Sequence, residues 1–69
     1  MVMSNLLRNN MKYIQDYYKV PAKVGDRILF KYDGREGTIK GSSNSNLLVL
    51  FDGEKTPKPL HPTWEVEYL

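Results

Sequence analysis

Leu7, Met11, Ile14 and Tyr18 recur at spacings of four, three and four, the period of a helix that lays one face against a core. Leu6, Tyr13 and Tyr17 form a flanking row beside that stripe. Ser4 or Asn5 can cap a helix start. Asn9-Asn10 then interrupts the pattern with two poor helix formers. The ordered helix is therefore expected to begin near Met11 with Asn10 as its cap, leaving residues 1–10 as a frayed N-terminal extension. Val20-Pro21 closes the helix, because the residue before a proline is pushed toward extended geometry.

From Arg27 the period changes from helical to alternating. Ile28, Phe30 and Tyr32 fall on one face of a predicted strand over residues 27–32, with Arg27 and Lys31 on the other. Asp33-Gly34 is a turn signal, and residues 36–40 form a second short strand. Residues 41–46 read as a polar loop of glycine, serine and asparagine. Leu47-Leu48-Val49-Leu50-Phe51 is apolar throughout, as a central strand covered on both sides would be. Asp52-Gly53 turns the chain again. Pro57, Pro59 and Pro62 confine any strand between residues 54 and 62 to a sheet edge. After His61-Pro62-Thr63, a tight turn, Trp64, Val66 and Tyr68 alternate with Glu65 and Glu67 as a last amphipathic strand.

One helix followed by four or five short strands predicts a mainly β domain with an N-terminal helix. Closing the sheet into a small barrel would shield both of its edges, with the helix plugging one open end through Leu7, Met11, Ile14 and Tyr18. The 69 residues leave room for one domain, expected over residues 11–69. Hydrophobic residues make up 41% and charged residues 26%, a globular balance and not a disordered one. There is no cysteine, so no disulfide, thiolate zinc site or cysteine nucleophile is available. No apolar run approaches a membrane span and no signal-peptide core is visible. The expectation is a soluble protein of a reducing compartment.

The net charge of +2 is unevenly spread. Eight basic against four acidic residues leave +4 over residues 1–40, and two against four leave −2 over residues 41–69. The surface is polarised without being basic overall.

Val24-Gly25-Asp26-Arg27-Ile28, Gly34-Arg35-Glu36-Gly37-Thr38-Ile39 and Leu48-Val49-Leu50-Phe51-Asp52-Gly53 together resemble an SH3-like small β-barrel of the KOW type, of four to five strands. The chain departs from that pattern in lacking a Gly-Pro pair before the glycine-bearing loop. Residues 12–69 also resemble short proteins of tailed phages and prophages. The resembling pieces are Tyr13-Ile14-Gln15-Asp16-Tyr17-Tyr18, Val20-Pro21-Ala22, Phe51-Asp52-Gly53-Glu54-Lys55 and the ending from His61 to Leu69. That likeness implies an SH3-like fold and a phage or mobile-element origin, hence the cytoplasm of a host cell. It implies no reaction.

Chemistry-bearing residues are sparse. His61 is the single histidine. It can pair with Glu65 or Glu67, but its neighbours Pro62 and Trp64 suit a packed turn, and no ligand spacing supports a metal. Glu65 and Glu67 share a strand face, which a solvated exterior explains as well as paired-carboxylate catalysis does. Gly34-Arg35-Glu36-Gly37 leads into a strand and not a helix, so it reads as turn chemistry with glycines supplying positive φ, not as a phosphate loop. No catalytic residue, cofactor or metal site is expected.

Two binding surfaces stand out. Arg27, Lys31, Arg35 and Lys40, with an exposed aromatic such as Tyr32, form a candidate nucleic-acid contact, although Asp26, Asp33 and Glu36 nearby cancel much of its field. Tyr13 and Tyr17, off the buried stripe of the helix, form a candidate protein interface, while Trp64 and Tyr18 are expected in the core. The function expected is a non-enzymatic accessory module that binds a host or phage protein, with nucleic-acid binding as the alternative.

Overall fold

The computed structural model describes residues 11–69, so the capping and fraying expected over residues 1–10, and the contribution of Leu6 and Leu7, lie outside the described residues. Residues 11–18 form a helix (α1). Lys19 takes a left-handed backbone with φ of 57°. The Val20 N–H donates to the Gln15 carbonyl at 3.3 Å, the long-range bond with which a left-handed residue closes a helix. The Gln15 side chain donates to the Ala22 carbonyl, pinning the chain as it leaves α1.

Five strands follow: β1 Arg27–Phe30, β2 Arg35–Ser43, β3 Asn46–Phe51, β4 Lys58–Leu60 and β5 Val66–Tyr68. They form one antiparallel sheet in the order β4-β3-β2-β1-β5. Only five residues join β4 to β5, and they contain a turn and a left-handed Glu65 with φ of 55°. A flat sheet would place those strands about 19 Å apart, four spacings, which such a bent connection cannot span. The sheet is therefore curled.

The curl does not become a closed barrel, contrary to the sequence expectation. β4 and β5 remain the two edges, with no ladder between them. Each is three residues long, one is interrupted by Pro59 and the other starts at the Glu65 kink. Pro59 denies β4 a regular ladder on its outer side, and the kinked connection does not bring β5 alongside it.

Ile28, Phe30, Ile39, Leu47, Val49, Phe51 and Leu60 line the concave face, where Ile14 of α1 and Ala22 join them in one buried cluster. Met11, Tyr18, Val20, Val66 and Tyr68 pack around its margin. The helical stripe predicted from spacing thus meets the core through Met11, Ile14 and Tyr18.

Several strand details differ from the sequence reading. β2 runs on to Ser43, and the supposed six-residue loop shrinks to a two-residue turn in which Asn44 and Ser45 both have positive φ, 51° and 69°. Such a turn matches the natural twist of a hairpin. A bulge between Ile39 and Gly41 places the exposed Lys40 outside the regular register. In β3 burial alternates, so Leu48 and Leu50 are only half-buried and the strand is covered on one face, not both. Gly34 does supply a positive φ, 79°. Gly37 serves differently: it is buried in the middle of β2, where a Cβ would lie 2.7 Å from Val49 Cγ1 and 2.8 Å from the Leu50 carbonyl oxygen.

Candidate functional site

β1 ends at Phe30, so Lys31 and Tyr32 belong to the turn that follows. Cross-strand partners share a face, and Arg27 pairs with Thr38 while Arg35 pairs with the buried Phe30. Arg27 and Arg35 therefore project from opposite faces of the sheet. The four predicted basic residues do not converge on one track.

Both arginines are also engaged. Arg27 makes a two-pronged pair with Asp52, at 2.8 and 2.6 Å, and reaches Thr38 Oγ1 at 3.0 Å and Glu36 at 3.4 Å. The hydrogen bonds from Arg27 hold the Asp52 carboxyl below its ordinary value, and the same bonds push the Arg27 guanidinium above its own. Arg35 donates to Asp33 at 2.7 Å and to Glu54 at 2.9 Å, and its guanidinium lies 4.2 Å from the centre of the Phe51 ring. Glu54 is shared with Lys58. A phosphate would have to displace carboxylates already in place.

Lys31 and Lys40 have no ion pair among the described residues. Lys31 follows the end of β1, whereas Lys40 neighbours Ile39, which bonds to Gly25 and Asp26 ahead of β1. The four residues of β1, roughly 13 Å of strand, lie between those positions. They stand at opposite ends of β1 and do not form one basic track.

Tyr13 and Tyr17 stand on α1 one turn apart, 49% and 64% exposed. Their rings stack with centroids 5.3 Å apart and an interplanar angle of 14°. The Tyr17 ring meets Tyr18 edge-on, and Tyr18 meets His61 in the same way. An aromatic ridge thus runs from the exposed side of the helix to the β4–β5 connection. His61 Nδ1 accepts from the Thr63 N–H at 3.1 Å, as a residue that shapes a turn does. Lys12 and Asp16 pair with each other at 3.2 Å on the helix surface, so the ridge is flanked by compensated charge.

Tyr32 and Trp64 form a second aromatic surface, which the spacing of the residues does not group. Tyr32 and Trp64 are 72% and 54% exposed, and with Phe30 behind them the three centroids are 5.9 to 6.0 Å apart. Alternation predicts Trp64 in the core, and the structure leaves it half exposed. Left-handed Glu65 breaks the alternation ahead of β5, which leaves Trp64 outside the strand with only part of its ring on Phe30. The same break removes Glu65 from the regular face of Glu67. No local sequence signal marks a left-handed glutamate, which is why spacing placed Trp64 wrongly.

Among the described residues, no group of three histidine, cysteine, aspartate or glutamate side chains is placed to hold a metal ion, and no helix is long and apolar enough to cross a membrane. No protein-family model, curated protein or solved structure matches this chain.

Proposed function

We propose that this protein is a small, non-catalytic binding module whose partner is another protein, contacted through the exposed Tyr13–Tyr17 ridge of α1. The observation that carries this reading is the stacked, half-exposed tyrosine pair on a helix whose adjoining face is anchored in the core by Ile14. Rigid aromatic side chains offer large contact area at low entropic cost, which is why they concentrate at protein interfaces. The Tyr32–Trp64 surface offers a further aromatic contact of the same kind.

The sheet order, with β5 returning beside β1, supports an SH3-like reading of the domain. The resemblance of residues 12–69 to short phage and prophage proteins supports an accessory role inside a bacterial host. Nucleic-acid binding is the weaker reading, since Arg27 and Arg35 face apart and are both held by carboxylates.

Affinity capture from the bacterial host tests the proposal. A discrete protein is expected to be retained at high salt and lost when Tyr13→Ala and Tyr17→Ala are combined. Retention of nucleic acid that weakens steeply with salt and disappears in a Lys31→Ala, Arg35→Ala variant would replace the protein reading with the nucleic-acid one.

A further inference from the structure

The two edges of the open sheet are chemically unlike. At β4, Pro57 and Pro59 remove backbone donors, which bars a regular further strand there. β5 contains no proline. Its hydrogen-bond phase can be read directly. The Lys31 N–H donates to the Glu65 carbonyl at 2.7 Å, and the Leu69 N–H donates to the Arg27 carbonyl at 3.1 Å. Glu67 pairs with Leu29 midway between them. Residues 65, 67 and 69 therefore turn their backbone groups toward β1, and the alternation of an antiparallel ladder turns those of Val66 and Tyr68 outward. Among the described residues, no backbone group bonds to Val66 or Tyr68 on that side.

The side chains along this edge restrict what can pair with it. Val66 and Tyr68 pack against the core margin, so residues laid beside them on that face must be apolar. Glu67 is exposed on the other face and has no ion pair among the described residues. A second copy pairing β5 against β5 about Glu67 would set two glutamates directly opposite each other, which is destabilising. A basic residue opposite Glu67 is favourable.

We propose that β5 is a strand-accepting edge that takes an extended segment of a partner protein, with a basic residue between two apolar ones, as a sixth strand. This site is on a different element from the tyrosine ridge and stands or falls independently of it.

Amide exchange and chemical shifts of the 15N-labelled full chain, with acetyl-Thr-Val-Lys-Val-Thr-amide as the probe, test the assignment. In the free protein the Val66 and Tyr68 amides exchange fast while those of Glu67 and Leu69 are protected. Millimolar peptide shifts and slows Val66 and Tyr68. Glu67→Lys weakens that peptide about two- to fivefold, the range of a cross-strand charge pair, and favours the peptide with glutamate in place of lysine. Protection of Val66 and Tyr68 in the free protein would show that the edge is already covered and would overturn the proposal. So would shifts confined to Tyr13 and Tyr17, or none at millimolar peptide.

Discussion

Replacing Gly37 by alanine tests how closely β2 and β3 approach. The added methyl would meet Val49 Cγ1 at 2.7 Å, the Leu50 carbonyl oxygen at 2.8 Å and Phe51 Cα at 3.0 Å. A valine methyl can rotate away, but the other two atoms are backbone of β3, which is paired to β2 on one side and β4 on the other. The sheet must open locally to admit one carbon. Overpacking costs about 1–3 kcal/mol, and backbone contacts put Gly37→Ala near the top of that range. A domain of this size has a total of about 3–10 kcal/mol. At about 4–8 °C per kcal/mol, the melting temperature falls by roughly 12–24 °C. Urea unfolding followed by fluorescence of Trp64, the single tryptophan, reads the change as a lower midpoint at unchanged slope. Gly41→Ala is the control, because a Cβ there meets nothing within 4 Å, and it stays within about 0.5 kcal/mol of the parent. A Gly37→Ala protein as stable as the parent would refute the close β2–β3 approach and the register that produces it.

Other expectations follow from single contacts. Phe30→Ala removes a buried ring packed near Phe51 and Trp64; it costs about 3–5 kcal/mol, measurable by the same denaturation, and leaves the domain barely folded. Burial pushes the Tyr68 phenol up to about 12. Its neutral form is thus favoured in the fold, so that contribution is complete below about pH 10, the unfolded value, and is lost as pH climbs through 12. Tyr68→Phe abolishes that alkaline step and, by removing the 2.6 Å bond to the Pro62 carbonyl, costs about 1 kcal/mol at neutral pH; an alkaline melting profile compares the two. Ser45→Gly relieves a left-handed serine at the β2–β3 turn and stabilises by about 0.5–1 kcal/mol, the strain relieved less the entropy glycine adds to the unfolded chain. An unchanged urea midpoint there would argue against the two-residue turn.

Much of the architecture was legible because it rests on local rules. The spacing of Met11, Ile14 and Tyr18 located the buried side of α1, and alternation at Ile28–Phe30 and Val66–Tyr68 located the concave face. The turns at Gly34 and Gly53, both with positive φ, follow from Asp-Gly pairs. Left-handed conformations at Lys19, Ser45 and Glu65 carry no such mark. They shortened a loop at residues 44–45 and expelled Trp64 from β5. Barrel closure failed for a non-local reason, since it depends on whether two short edges meet. The tyrosine ridge was readable as positions off the buried stripe. The arginine clasps were not, because Arg27 with Asp52 and Arg35 with Glu54 are pairs made by the register, 25 and 19 residues apart in the chain.

Photo-crosslinking in host cells probes the proposed interface at a single position. A photoreactive phenylalanine at position 17 is expected to capture one discrete protein, while the same group at position 40 captures none. Crosslinks to nucleic acid at position 40, with nothing at position 17, would contradict a protein-binding surface on α1.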